Sequence, residues 1–261
     1  MKINSKKSVV LTGSSGFLGS VITQTLVDNH WHVIAIDTQK PNHIPENVSF
    51  IQFDLMDINA YNQLKQIIRS TSQNIKALIN NAAANPSIEG DISTFGKFED
   101  MNLNEWNKDI SLNLSAPVFL IQNLLDIFNH SDTKPCKIVN VISTYGIVPP
   151  NQDIYKPLSK AKGIEIYKPI AYSVTKAGLA MATKYLSVYL AQKGFNVNGI
   201  APGGIENNQP REFVHMYSKY TPMGRMAQRE EMMDIILLLL DKGSDYMNGQ
   251  IIAVDGGWTV W

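Results

Sequence analysis

A chain of 261 residues is long enough to bury a full core as one large α/β domain, and no Pro/Gly/Ser-rich stretch divides it. Lysine plus arginine equals aspartate plus glutamate, 23 each, so no net charge draws the chain to nucleic acid or to an anionic membrane, and small molecules are the expected partners. The single cysteine, Cys136, excludes an internal disulfide, and the three apolar residues before the first glycine are too few for a secretory leader; a reducing cytoplasm fits both.

In chain order, "SVVLTG" reads as a buried strand and "FLGSVITQTLVDN" as the helix after it; "HVIAID", "NAYNQLKQIIRST" and "IKALINNAA" repeat the alternation. It continues through "PVFLIQNLLDIFN", "CKIVNVIS", "AYSVTKAGLAMATKYLSVYLAQKG" and "NVNGIAPGG", then a helix near "QREEMMDIILLLLDKG" and a last strand near "GQIIAVDGG". Such alternation predicts βαβ units, hence a Rossmann-type doubly wound, mainly parallel sheet of seven strands with helices on both faces, in a single domain over 1–261. "DIILLLLDKG" is a core helix in this scheme. His30, His32, His43, His130 and His215 lack metal-ligand spacing, so surface roles and no metal site are expected.

The first strand-to-helix turn carries chemistry. "TGSSGFLG" spaces glycines 13, 16 and 19 so that the backbone can bend sharply and approach a pyrophosphate resting on the helix N-terminus. Gly13, Ser15, Gly16, Phe17 and Leu18 are therefore candidate cofactor contacts. Asp37 ends the next strand, where a carboxylate accepts hydrogen bonds from ribose hydroxyls and repels a 2′-phosphate, which favours NAD over NADP.

With these stand "FDLMD", "NNAA", "SLNLSAPVF", "NVIS", "YSVTK", "APGG" and "GQIIAVDGG", in that order. Together they resemble the short-chain dehydrogenase/reductase family along nearly the whole chain. The resemblance implies that Asp54 and Leu55 lie beside the adenine. It implies that Asn81, Ala82 and Ala83 support the cofactor pocket, and that Pro202, Gly203 and Ile205 lie near the nicotinamide. Asn113, Ser143, Tyr172 and Lys176 would be the catalytic group, with Tyr172 and Lys176 also touching the cofactor and Asn113 holding a proton-relay water. Tyr172 and Lys176 are four apart in a helical run and share a face, so the ammonium is expected to lower the phenol pKa and make Tyr172 an acid/base for hydride transfer between a nicotinamide and an alcohol or carbonyl. Ser143 would hydrogen-bond the reacting oxygen.

The chain departs from the family pattern in three places. The glycine spacing is typical of extended members acting on nucleotide sugars, with Phe17 where short members have glycine, although "GQIIAVDGGWTVW" matches the short ones. The usual threonine after Pro202-Gly203 is missing. Ser143 and Tyr172 are 29 residues apart, about twice the family's usual crossing, so an insertion is expected at about 147–171. It holds Lys156, Lys160, Lys162 and Lys168 against Asp153 and Glu165, and a substrate loop at about 205–221 adds Arg211, His215 and Lys219. A positive mouth made of these would favour an anionic, sugar-like substrate, such as a sugar phosphate or nucleotide sugar; an ordered surface or subunit-contact loop is the alternative. "YGIVPPNQDIY" and "YKPIAYSVTK" also resemble bacterial members linked to surface-sugar biosynthesis. Other readings left open are a 3-oxoacyl-type carbonyl reductase, a nucleotide-sugar epimerase or dehydratase, and a non-catalytic dinucleotide-binding regulator. A homodimer or homotetramer is expected, with Trp258 and Trp261 packing on a neighbouring subunit.

Overall fold

A computed structural model describes residues 6–85, 95–129 and 134–261. Seven strands, β1 (Ser8–Thr12), β2 (His32–Asp37), β3 (Val48–Gln52), β4 (Ile75–Asn80), β5 (Cys136–Val141), β6 (Phe195–Pro202) and β7 (Ile251–Val254), form one sheet in the order β3-β2-β1-β4-β5-β6-β7. Every pairing is parallel, with Val9 opposite Val33 on one side and Ala77 on the other. Parallel strands need helical crossovers that cover both faces, which is why β1, β5 and β6 are buried from end to end, even at Lys137, Asn140, Asn196 and Asn198.

Period-two alternation divides the core into two layers. Val10, Ile34, Leu78, Ile138 and Val197 point to one face, under α2 (Tyr61–Thr71), α4 (Ala116–Leu124) and α6 (Ile170–Leu190). Val9, Leu11, Val33, Ile79 and Val139 point to the other, under α1 (Phe17–Asp28) and α8 (Met233–Leu240). The remaining helices are α3 (Leu103–Ile110), α5 (Lys156–Lys162) and α7 (Arg211–Lys219). By length and composition the helical stretch Leu103–Ile127 would suffice to cross a membrane, yet Ala116, Leu120, Ile121 and Leu124 bury it against the sheet.

Strand β3 is a half-buried edge strand, and the sequence pattern did not mark it out as a run of its own. His32 corrects the expectation of surface histidines: it is buried in β2, with its ring nitrogens bonded to Ser8 Oγ and Ser49 Oγ at 2.9 Å each. His130 lies outside the described residues.

Candidate active site

The sheet order reverses between β1 and β4, and the carboxyl ends of these strands open on a cavity of about 640 Å³. At its floor the Thr12 hydroxyl accepts hydrogen bonds from the backbone N–H of Asn81 (3.0 Å) and Ala82 (3.1 Å), tying the end of β1 to that of β4. Gly13 turns at φ 65°, and a Cβ there would stand 2.7 Å from Ala82 Cα. At Gly19 a Cβ would stand 1.9 Å from the Gly13 carbonyl oxygen, so only glycine lets α1 lie on the turn. Gly16 is the N-cap of α1 and supplies no side-chain cap. The helix N-terminus therefore keeps backbone donors for a phosphate, and this cradle fits a dinucleotide pyrophosphate.

The other cofactor candidates sort by position. Gly13, Gly16, Phe17 and Leu18 line the cavity, as do Asp37, Asp54 and Leu55 farther along. Asn81, Ala82 and Ala83 form its middle, with Pro202, Gly203 and Ile205 opposite. Ser15 does not line it: its N–H donates to Asp37 Oδ2 (3.0 Å) and its hydroxyl to the Gln39 carbonyl (2.6 Å). Ser15 thus orients Asp37. Asp37 Oδ1 also accepts from Gln39 N–H at 3.0 Å, and the carboxylate keeps acceptor capacity for a ribose.

Ser143, Tyr172 and Lys176 meet at the far end of the same cavity. The Ser143 side chain lies just beyond β5, accepts from Tyr145 N–H (3.2 Å) and lines the cavity together with the Tyr172 phenol. Lys176, one turn along α6, donates to the Val141 carbonyl at 2.8 Å, with its Nζ 5.8 Å from the Tyr172 ring centroid. The electrostatics correct the sequence expectation. Burial pushes the Tyr172 phenol up, and the neighbouring Ser143 hydroxyl opposes this. Burial also brings Lys176 down to about 8. A pair buried together favours its neutral forms, and this ammonium is turned onto a carbonyl.

Asn113 occupies a widened helical turn, Ser111–Ser115, between α3 and α4. Its amide accepts from Ala84 N–H (2.7 Å) and donates to the Ala84 carbonyl (3.0 Å). The side chain is therefore committed to holding the segment after β4 and does not line the cavity.

The insertion is ordered. A helical turn, Gln152–Tyr155, leads into α5, which Gly163 ends at φ 67°. Tyr155, Leu158 and Ile166 bury themselves in one cluster with Phe213 and Tyr217 of α7 and with Trp258. Trp258 stacks on Tyr217, centroids 4.3 Å apart at 16°, and the Tyr217 hydroxyl accepts from Gly204 N–H at 2.6 Å. Trp258 therefore packs inside its own chain, where α7 brings an aromatic face to it. Trp261 is exposed and donates to the Tyr220 carbonyl.

The positive mouth reduces to one residue. Lys156, Lys160 and Lys162 are exposed on α5, Lys156 paired with Asp153 at 2.7 Å, and Arg211, His215 and Lys219 are on the outer side of α7. Of these lysines only Lys168 lines the cavity. Sequence reasoning did not single out Asn85, Phe95, Tyr155, Gln209, Phe213 or Tyr217 as lining residues; the four-residue spacing of Phe213 and Tyr217 was the one signal available.

A family model described as Enoyl-(Acyl carrier protein) reductase matches residues 18–259. The chain belongs to the short-chain dehydrogenase/reductase family. A short-chain dehydrogenase of Leptospira borgpetersenii, solved with bound NAD+, is 29% identical at a TM-score of 0.85, over 100% of this chain and 98% of that one. A 3-oxoacyl-[acyl-carrier-protein] reductase of Aquifex aeolicus is 26% identical over 98% of each chain. The Pseudomonas aeruginosa RhlG/NADP active-site complex, at 23% identity, shares the fold with a TM-score of 0.82 over 99% of this chain and 98% of that one. As a short-chain dehydrogenase/reductase the protein is an oxidoreductase that uses a nicotinamide cofactor.

Proposed function

We propose that this short-chain dehydrogenase/reductase transfers hydride between NAD and a secondary alcohol or carbonyl of a polar, sugar-like small molecule, with Tyr172 as acid/base. The supporting observation is that Ser143, Tyr172 and Lys176 share one cavity with the glycine turn. The turn and the α1 N-terminus would hold the pyrophosphate, Asp37 the ribose, and Asp54 and Leu55 the adenine. Asn81 to Ala83, with Pro202, Gly203 and Ile205, would enclose the nicotinamide, which accepts or supplies the hydride when bound. In oxidation Tyr172 takes the hydroxyl proton; in reduction it returns it. Ser143 orients the reacting oxygen, Lys176 packs beside the Tyr172 ring while anchored on the Val141 carbonyl, and Asn113 steadies the segment after β4.

NAD preference rests on Asp37, whose carboxylate repels a 2′-phosphate. The expected result is a higher kcat/KM with NAD than with NADP, narrowed by Asp37→Ala; equal or better use of NADP by the wild type overturns it. Aromatic ring faces around the substrate end suit the CH-rich faces of a sugar, in keeping with a place in carbohydrate biosynthesis. Reduction of a 3-oxoacyl group is the second reading, favoured by the Aquifex relative. Turnover of polyols, sugars and sugar phosphates against 3-oxoacyl thioesters, followed at the nicotinamide absorbance, decides between them. Exposed Met181, Tyr185 and Val188 on α6 support self-association as a dimer or tetramer. The free, buried Cys136 suits the reducing cytoplasm expected for it.

A further inference from the structure

Lys168 stands four residues before Tyr172, on the segment leading into α6, and is only 7% exposed. Its backbone is clamped by one side chain: Lys168 N–H donates to Gln152 Oε1 (2.9 Å), and its carbonyl accepts from Gln152 Nε2 (3.3 Å). The ammonium lies 4.3 Å from the Tyr172 ring centroid and 5.5 Å from that of Phe95, so it is closer to the tyrosine ring than Lys176 is. It donates to Asn85 Oδ1. No carboxylate forms an ion pair with it among the described residues; Asp109 attracts it only from a distance, and Lys176 repels it.

A buried cation without a counter-ion costs free energy that methionine or leucine would not incur at the same place. Here the charge faces the cavity, beside the group that handles the proton. Of its three donors one is used by Asn85, and the Asn85 amide brings an NH₂ of its own to the same spot. No arginine is among the described residues lining the cavity. One ammonium with one amide matches a planar monoanion better than a phosphate, which draws on arginine forks or helix N-termini.

We propose that Lys168 anchors a carboxylate of the substrate, so that the protein oxidises a hydroxy acid or reduces the corresponding oxo acid. This rests on the oxidoreductase reading above. Because the ammonium lies over the Tyr172 ring, a carboxylate held there reaches a reacting carbon one or two carbons away at Tyr172 and Ser143. In oxidation that carbon loses a hydride to the nicotinamide and its hydroxyl loses a proton to Tyr172; the carboxylate is unchanged.

The test compares lactate, 3-hydroxybutyrate and gluconate with their uncharged partners, the methyl esters of the first two and glucitol for the third. Turnover is followed with NAD, and binding to the protein with NADH is followed by calorimetry. The wild type is expected to favour at least one acid over its partner by about ten- to hundredfold in kcat/KM, through KM. Lys168→Met and Lys168→Gln should each remove most of that ratio, while Lys162→Gln, on the exposed side of α5, leaves it in place. Turnover of the uncharged partners with no acid preference, or a preference that both Lys168 variants retain, overturns the anchor and leaves the oxidoreductase reading standing. Acid binding that depends on Lys168 without turnover supports the anchor and overturns the oxidation of hydroxy acids. Neither binding nor turnover of any acid overturns the anchor, and reduction of 3-oxoacyl thioesters in the same preparation would then show the oxidoreductase reading intact.

Discussion

Tyr172→Phe keeps the buried ring and removes the one atom that can carry the proton. It is expected to lower kcat by about 10²- to 10⁴-fold while the cofactor affinity, read by nicotinamide fluorescence, stays nearly unchanged; a variant retaining most of the wild-type rate removes Tyr172 from the acid/base role. Lys168 allows a second residue-scale prediction, with a definite sign. Burial, followed by the attraction of Asp109 and the repulsion of Lys176, sets its pKa at about 7, below the ordinary value of 10.5. Between those values the unfolded chain binds more protons than the folded one, so wild-type stability falls as pH drops from about 10.5 to about 7 and changes no further below that. Lys168→Met removes the penalty. Its melting temperature should exceed that of the wild type, with a gain of about 1–3 kcal/mol at pH 7 that shrinks as pH is raised toward 10; a variant less stable at pH 7 contradicts this. The proximity of Tyr172 and Lys176 was legible from their spacing, whereas the opposed pKa directions were not, because burial depends on what the rest of the chain places above them.

The turn between β1 and α1 owes its geometry to two glycines that do different work. Gly13 supplies a left-handed backbone, and Gly19 supplies the absence of a side chain where α1 crosses the Gly13 carbonyl. Gly19→Ala must push α1 off the turn and is expected to cost about 1–3 kcal/mol in chemical denaturation and to weaken cofactor binding. At Gly16 a Cβ meets only the Gly13 oxygen at 3.4 Å, so Gly16→Ala should fold with near wild-type stability. Equal losses in the two variants would show that spacing alone, not the contact, matters. The insertion shows the limit of reading elements from composition. Counting its lysines suggested a positive mouth, but helix α5 turns Lys156, Lys160 and Lys162 outward while the clamp on Gln152 turns Lys168 in.

At the scale of the whole molecule, the reversal of strand order at β1 and β4 puts the glycine turn and the Ser143–Tyr172 pair at the same edge of the sheet. Self-association belongs to this scale as well. Tyr185 and Val188, 67% and 80% exposed, stand on the outer face of α6, where single-chain solubility would favour polar residues. Sedimentation at micromolar concentration is expected to give two or four times the chain mass, and Tyr185→Glu with Val188→Glu to reduce it to one; a monomeric wild type overturns the proposal.

By itself the sequence determined the alternation of strands and helices, the parallel sheet, the glycine turn, Asp37 and the Tyr172–Lys176 pair, because each depends on residues close together in the chain with a fixed local period. Tertiary structure alone decided that Ser15 orients Asp37, that Asn113 is committed to Ala84, that Trp258 stacks on Tyr217, and that a single lysine of the insertion faces the cavity. Each of these depends on which side of an element meets a segment tens of residues away. Charge and aromatic content carry no record of that direction; packing sets it.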